Sequence, residues 1–185
     1  KCWPTAADGR ASPLDCTRQV NMRLSAPEPL RADHDLSNFE CGEPSLNDWL
    51  KRRALTNQLN GASRTFVVLD EEQNVVGYYA LAAGAVSHEH ATGGVRRNMP
   101  DPVPVLVLGR LAVAHRAQGR RVGAALLQDA VLRAMAVAEN AGVRALLVHA
   151  LNDRAKVFYE HYGFLSSPID PMTLMLRLQS PSAVM

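Results

Sequence analysis

The sequence predicts an α/β domain in which a mixed central sheet is flanked by helices. Three observations carry that expectation. Helical and strand-like patterns alternate in the order α-β-β-loop-β-α-β-α-β, a layering that lets helices cover a sheet. The stretch from Leu108 to Leu127, LGRLAVAHRAQGRRVGAALL, reads as an apolar strand, a basic glycine-bearing turn and a helix of small and apolar residues. Finally, 185 residues with 47% hydrophobic and 21% charged side chains suit one globular domain with a sizeable core.

Each element has its own signal. Residues 1–21 lack periodicity and are rich in Pro, Ala, Gly and polar residues. They are expected to form a disordered extension, with the domain spanning 22–185. Glu43-Pro44-Ser45 opens a helix in which Leu46, Trp49, Leu50 and Leu55 share one face, with Lys51, Arg52 and Arg53 mostly on the other. Arg64 to Leu69 and Val75 to Val86 read as two strands joined by the polar turn Asp70 to Asn74. Ser87 to Pro104, with two histidines, two glycines and its prolines, reads as a mobile loop. Pro104 to Ala114 is the central strand, and Gly119 to Asn140 a long helix ended by Gly142. Ala145 to Leu151 is a further strand, Asp153 to His161 a short helix closed by Gly163, and Thr173 to Leu178 the last strand.

Composition narrows the function classes. A net charge of +2 does not demand nucleic acid. Local clusters are more suggestive: Lys51-Arg52-Arg53, Arg96-Arg97, and Arg110, Arg116, Arg120 and Arg121 form either solvated faces or an RNA-binding face. No apolar run reaches the length of a membrane span, and no signal-peptide pattern is present. Cys2, Cys16 and Cys41 are odd in number and lack metal-ligand spacing. They read as reduced thiols of a cytoplasmic protein that holds no metal.

The basic turn is where chemistry first shows. A strand that delivers a turn onto a helix N-terminus makes an anion site, because the first helical N–H groups lack acceptors and the dipole end is positive. Arg116, Gln118, Gly119, Arg120, Arg121 and Gly123 in that turn point to a phosphate. Neither the P-loop spacing nor GxGxxG with a distant acidic residue is present, which leaves a pyrophosphate held in a different fold.

Here the chain resembles the GCN5-related N-acetyltransferases (GNATs), whose acetyl-CoA signature is Q/R-x-x-G-x-G/A between a central strand and a helix. Gln118, Gly123 and Ala124 fit in register, and Arg121 stands where the first glycine is usual. A non-glycine residue serves there if its φ is negative and its side chain points outward. The resemblance implies the GNAT fold, with splayed central strands forming the acetyl-CoA cleft. It assigns the diphosphate to the backbone of Gln118, Gly119, Arg120, Arg121, Val122, Gly123 and Ala124.

A second motif runs from Val148 to Phe164. Asn152 or Asp153 can cap its helix, and Ala155, Phe158, Tyr159 and Tyr162 then fall on one face. By resemblance this helix lies beside the thiol end of CoA, with Asn152, Ala155 and Phe158 around the cofactor and Tyr159 protonating the departing thiolate. A phenol with a reference pKa of about 10 is protonated at neutral pH yet can give up a proton; the bland role is a core tyrosine whose hydroxyl caps a backbone group. Tyr162 fits helix packing. Leu111, Ala112 and Val113 are implied to pair with the pantetheine arm through their backbone, one N–H facing the acetyl oxygen. No acidic residue in the central strand offers a general base, and His88, Glu89, His90 and His115 read as surface groups. An acceptor of low pKa, such as an α-amine at about 7.7–8.0, would need little help.

Further motifs sharpen the resemblance over residues 30–178. Phe39-x-Cys41-Gly42, Leu46-Asn47-Asp48-Trp49-Leu50, Arg64-Thr65-Phe66-Val67, Gly77-Tyr78-Tyr79, Pro102-Val103-Pro104-Val105 and Leu108 to Val113 look like the bacterial toxin branch of the family. That branch implies acetylation of the α-amine of aminoacyl-tRNA, which stops translation, and a ribbon-helix-helix antitoxin as partner. It also implies a homodimer, no membrane, and DNA only indirectly through the antitoxin. Lys51, Arg52, Arg53, Arg96 and Arg97 are then the candidate RNA-phosphate contacts, with Arg110 near the acceptor end. Two other readings stay open: acetylation of a small amine or protein N-terminus, and a non-catalytic acyl-CoA-binding protein.

Overall fold

The computed structural model describes residues 23–178; the extension expected at 1–21 lies outside them, as do Cys2 and Cys16. One seven-stranded sheet runs β1-β2-β3-β4-β5-β7-β6. Its strands are β1 (Glu28–Pro29), β2 (Arg64–Leu69), β3 (Val75–Val86), β4 (Val103–Val113), β5 (Ala145–His149), β6 (Leu165–Ser166) and β7 (Thr173–Arg177). All neighbours are antiparallel except β4 and β5. The helices are α1 (Pro44–Trp49), α2 (Leu55–Leu59), α3 (Gly93–Arg96), α4 (Val122–Asn140) and α5 (Asp153–His161).

Both faces of the sheet are covered, which explains why β3 is buried continuously from Val75 to Leu81 rather than in alternation. On one face α4 and α5 pack over Leu106, Leu108, Leu146 and Val148. Leu126, Ala130 and Ala134, all fully buried, form the inner stripe of α4. A Cβ on Gly77 would lie 3.0 Å from Leu126, so glycine lets the helix sit close to β3. On the other face the helical segment from Pro44 to Leu59 covers Val67, Tyr78 and Ala112. Ala91 and Val95 cover Val103, Val105 and Leu147 farther along the same face.

Two features of β4 shape the site. Ala80 pairs with Arg110 and Leu81 with Leu108, so Gly109 is an extra residue, a bulge that re-aims the strand beyond it. β4 and β5 pair only from Val105–Ala145 to Leu108–Val148. Beyond that point β4 runs on to Val113 while β5 ends at His149. The central strands therefore splay, as the family resemblance implies.

The structure departs from expectation in several places. Ser87–Pro104 is not simply a loop: it carries α3, and Ala91 and Val95 are fully buried in the core. The Pro44–Leu59 helix is broken by a π turn over Leu50–Ala54, which sets Lys51, Arg52 and Arg53 outward in succession. α4 begins at Val122 rather than Gly119, and Gly142 does not close it. The extended Ala141 (φ −143) ends the helix, whereas Gly163, at φ +85, does close α5 as expected. β5 stops short of Leu151, and the two-residue strands β1 and β6 join the sheet edges.

Candidate active site

A cleft of about 730 Å³ opens where β4 and β5 part. On the β3 side, Leu111, Ala112 and Val113 pair with Tyr79, Tyr78 and Gly77. On the side facing β5 they have no strand partner among the described residues, so an extended ligand can add along that edge as the resemblance implies. Gln118 marks the end of the edge. Its side-chain amide donates to the carbonyls of Val113 (2.9 Å) and Cys41 (3.0 Å), and its own N–H donates to His115. Both donors of Gln118 thus brace the protein instead of pointing at an anion.

The turn that the resemblance assigns to the diphosphate is built on left-handed backbone. Gly119 takes φ +76 and Arg121, the N-cap of α4, takes φ +61. The negative φ expected of Arg121 is therefore wrong. It adopts the conformation that glycine supplies without strain, at a cost of about 1–2 kcal/mol for a residue with a Cβ. The first helical bond runs from the Ala125 N–H to the Arg121 carbonyl (3.1 Å). The N–H groups of Val122, Gly123 and Ala124 thus precede the hydrogen-bonded helix and are directed at its N-terminus. Arg120 and Arg121 are exposed at this end. Arg116 is not part of it, since its guanidinium is held 3.1 Å from Asp70. A Cβ on Gly123 would meet Val113 and Phe158 at ordinary contact distance, 3.7 and 3.9 Å, so its absence leaves open volume in the cleft.

α5 supplies the wall opposite. Asn152 caps it, its side-chain oxygen accepting the Ala155 N–H at 2.9 Å. Ala155 and the half-buried Phe158 line the cleft. Tyr159, 8% exposed, lies with its ring 5.3 Å from Phe158 and 5.5 Å from Phe164. Burial pushes its phenol up to about 12, so it stays protonated at any working pH. Among the described residues its hydroxyl has no hydrogen-bond partner, so the role of a structural cap is not what it serves. Tyr162 is 42% exposed, touches Phe158 at 5.1 Å and lies outside the core.

A splayed β4–β5 pair, a glycine turn onto α4 and a buried tyrosine on α5 are the features that the resemblance implies. The chain matches the acetyltransferase (GNAT) domain family over residues 62–165. It belongs to the GCN5-related N-acetyltransferases. Over 160 residues it is 51% identical to a tRNA-acetylating toxin of Mycobacterium tuberculosis, covering 86% of this chain and 96% of that one. Among solved structures it is similar to AtaT complexed with acetyl-methionyl-tRNA, with 28% identity, a TM-score of 0.77, and coverage of 84% and 95%. An AtaT mutant bound to acetyl-CoA and the C-terminus of the antitoxin AtaR superposes with a TM-score of 0.72 at 29% identity over 83% and 92%.

The other mouth of this acetyltransferase cleft lies on the sheet face opposite α4. Alternation through the bulge puts Arg110 on that face, its guanidinium 5.7 Å from the Trp49 ring, which itself stacks on Tyr78. Lys51, Arg52 and Arg53 are exposed on the π turn beside it, and Arg96 and Arg97 are exposed at the end of α3. The fold therefore gathers all six candidate RNA contacts on one face. Arg52 pairs only loosely with Asp48 (3.8 Å, both exposed).

The histidines sort by contact. His88 anchors its loop through the carbonyls of Met99 and Pro100, both at 3.0 Å. His115 packs over Gly42, 2.8 Å from where a Cβ would sit. His149, which sequence reasoning passed over, lines the cleft at the end of β5. Its signal was a polar residue closing an otherwise fully buried strand. Among the described residues no cluster of three His, Cys, Asp or Glu could hold a metal. None of the described helices is long and apolar enough to cross a membrane.

Proposed function

We propose that this acetyltransferase moves acetyl from acetyl-CoA to the α-amine of aminoacyl-tRNA and so acts as a translation-blocking toxin of the cytoplasm. The observation that carries the reading is the two-sided cleft. Its α4 side presents a helix N-terminus and a buried phenol, while on its other side Arg110 lines the cleft and Lys51, Arg52, Arg53, Arg96 and Arg97 are exposed on elements that cover the same sheet face. The 51% identity to a tRNA-acetylating toxin supports the same acceptor.

Each part has a physical role in acyl transfer. The N–H groups of Val122, Gly123 and Ala124 and the dipole of α4 receive the diphosphate. The free edge of Leu111–Val113 aligns the pantetheine arm, and a fixed N–H on that edge stabilises the developing oxyanion. The amine nitrogen attacks the thioester carbon, the C–S bond breaks, and Tyr159 gives its proton to the sulfur. Burial raises the thiolate's proton affinity by the same desolvation that raises that of the phenol, so the transfer is less uphill than reference values imply. The basic mouth holds the acceptor stem by phosphate contacts, which makes binding salt-sensitive.

We extend the proposal to a homodimer that joins two basic faces and to neutralisation by a ribbon-helix-helix antitoxin, through which alone the protein reaches DNA. AtaT with the C-terminus of AtaR and the AtaT–AtaR complex bound to DNA support the antitoxin partner and its link to DNA. The test offers radiolabelled acetyl-CoA to charged tRNA, deacylated tRNA and free amines. Label is expected on charged tRNA and not on deacylated tRNA or on amines that carry no aminoacyl ester, and label confined to such amines or to proteins would refute the acceptor.

A further inference from the structure

We propose that His149 is the general base of acetyl transfer, with its ring held by Thr173 and Asp170. The reaction is that of the function proposed above, on which this assignment rests, and the residue is singled out by the geometry of β5. The last β4–β5 pair is Leu108–Val148, so His149 stands abreast of the Gly109 bulge, where the strands begin to part. By alternation it shares a face with Leu147, which belongs to the core cluster of Val95, Val103 and Val105. Tyr159 packs on the opposite face with Val148 and Ala150. One cleft thus has a proton donor on its α5 side and an imidazole on the side of the basic mouth, where an acceptor amine enters.

The hydrogen bonds fix which nitrogen is free. Thr173 Oγ1 donates to Asp170 Oδ2 at 2.6 Å, and that bond, with the Met172 N–H, holds the Asp170 carboxyl below its usual range. Asp170 is therefore an ionised acceptor, and the single hydroxyl proton of Thr173 is committed to it. At its contact with His149 Nδ1, 2.7 Å away, Thr173 can only accept. In the neutral ring, Nδ1 therefore carries the hydrogen and Nε2 the lone pair. This is an oriented imidazole of the kind that general-base catalysis uses.

Other charges face the group. His90, on the loop before α3, also acts on Asp170, lowering its carboxyl further. Arg110, Arg154 and Glu43 line the same cleft from β4, α5 and the segment before α1. None of these intervenes between Nδ1 and Thr173.

The step balances. As the amine nitrogen bonds to the thioester carbon it becomes cationic; Nε2 takes one of its protons, the C–S bond breaks, and Tyr159 protonates the sulfur. His149 then releases its proton to water and Tyr159 regains one. An amine already neutral must still shed that proton, so a low acceptor pKa does not make the base idle.

The test compares wild type with His149→Gln and Thr173→Val, using acetyl-CoA with either charged tRNA or a small aminoacyl ester. His149→Gln is expected to lower kcat on both acceptors by at least ~100-fold, the usual reach of general-base catalysis. Its acetyl-CoA affinity by calorimetry should stay within about twofold of wild type. Thr173→Val is expected to fall between the two and to shift the acid limb of the pH–rate profile, and added imidazole should restore part of the turnover of His149→Gly. Retention of wild-type kcat by His149→Gln, or a loss confined to tRNA, would overturn the assignment. If wild type acetylates the ester but not charged tRNA, the proposed acceptor fails while the ester series still decides the base. Nitrogen NMR of the wild-type protein gives a readout that needs no turnover: an Nδ1–H tautomer supports the assignment and an Nε2–H tautomer contradicts it.

Discussion

Tyr159 combines an apolar setting with an uncommitted hydroxyl. Its ring fills space between Phe158 and Phe164, so Tyr159→Phe keeps the packing and removes only the hydroxyl proposed as the proton donor. Acetyl transfer is expected to fall by about 10²–10⁴-fold, with the urea midpoint and acetyl-CoA affinity unchanged; initial rates and calorimetry check both. Arg121 is the complementary case, a residue whose backbone rather than its side chain is at odds with its type. At φ +61 it carries a Cβ that glycine lacks. Arg121→Gly is expected to stabilise the fold by about 1 kcal/mol and Arg121→Ala to give no such gain, as read by denaturant unfolding.

At the scale of the element, the π turn Leu50–Ala54 determines which side chains reach solvent. Leu50 and Ala54 are fully buried while the three basic residues between them are exposed. Replacing Lys51, Arg52 and Arg53 together with alanine is expected to weaken charged-tRNA binding. It should also flatten its log–log salt slope by roughly 0.7–0.9 for each phosphate that is no longer neutralised, while turnover of a small aminoacyl ester is unchanged. A salt titration of binding checks this. α5 depends on its cap: Asn152→Ala removes the Ala155 bond and is expected to cost about 1 kcal/mol.

The long elements were legible because their periodicity spans many residues. β2, β3, β4, α4 and α5 appear within a few residues of the sequence reading, and so do the cleft walls they form. What was not legible depends on contacts that no local pattern encodes. Two-residue strands such as β1 and β6 have no period to detect, and α3 has four residues held by burial of Val95. No local pattern marks the π turn or the left-handed backbone of Arg121. His149 resembled any polar strand end, because its partner Thr173 lies 24 residues away.

For the whole molecule, buried phenols tie stability to pH. Tyr78 and Tyr79 are fully buried, and burial drives both well above the ordinary tyrosine value; Asp129, which accepts the Tyr79 hydroxyl, raises that one further. Tyr159 is raised to about 12 by burial alone. In the unfolded chain these phenols ionise near 10, so above that pH the folded state holds more protons than the unfolded one. Stability is therefore intact below about pH 10 and is lost as pH rises beyond it. Thermal midpoints are expected to fall between about pH 10 and 12, less steeply for Tyr159→Phe. On the proposed reading, one parting of two strands joins a helix end that binds the diphosphate to a basic face that takes the acceptor, and the destination of the acetyl group tests that union most directly. Charged tRNA treated with acetyl-CoA and the protein is digested with ribonuclease, and the 3′-terminal aminoacyl-adenosine is weighed by mass spectrometry. An acetyl group on the α-amine of that fragment, absent with Tyr159→Phe, is the expected result; an unmodified fragment, or acetyl carried only on other molecules, would contradict it.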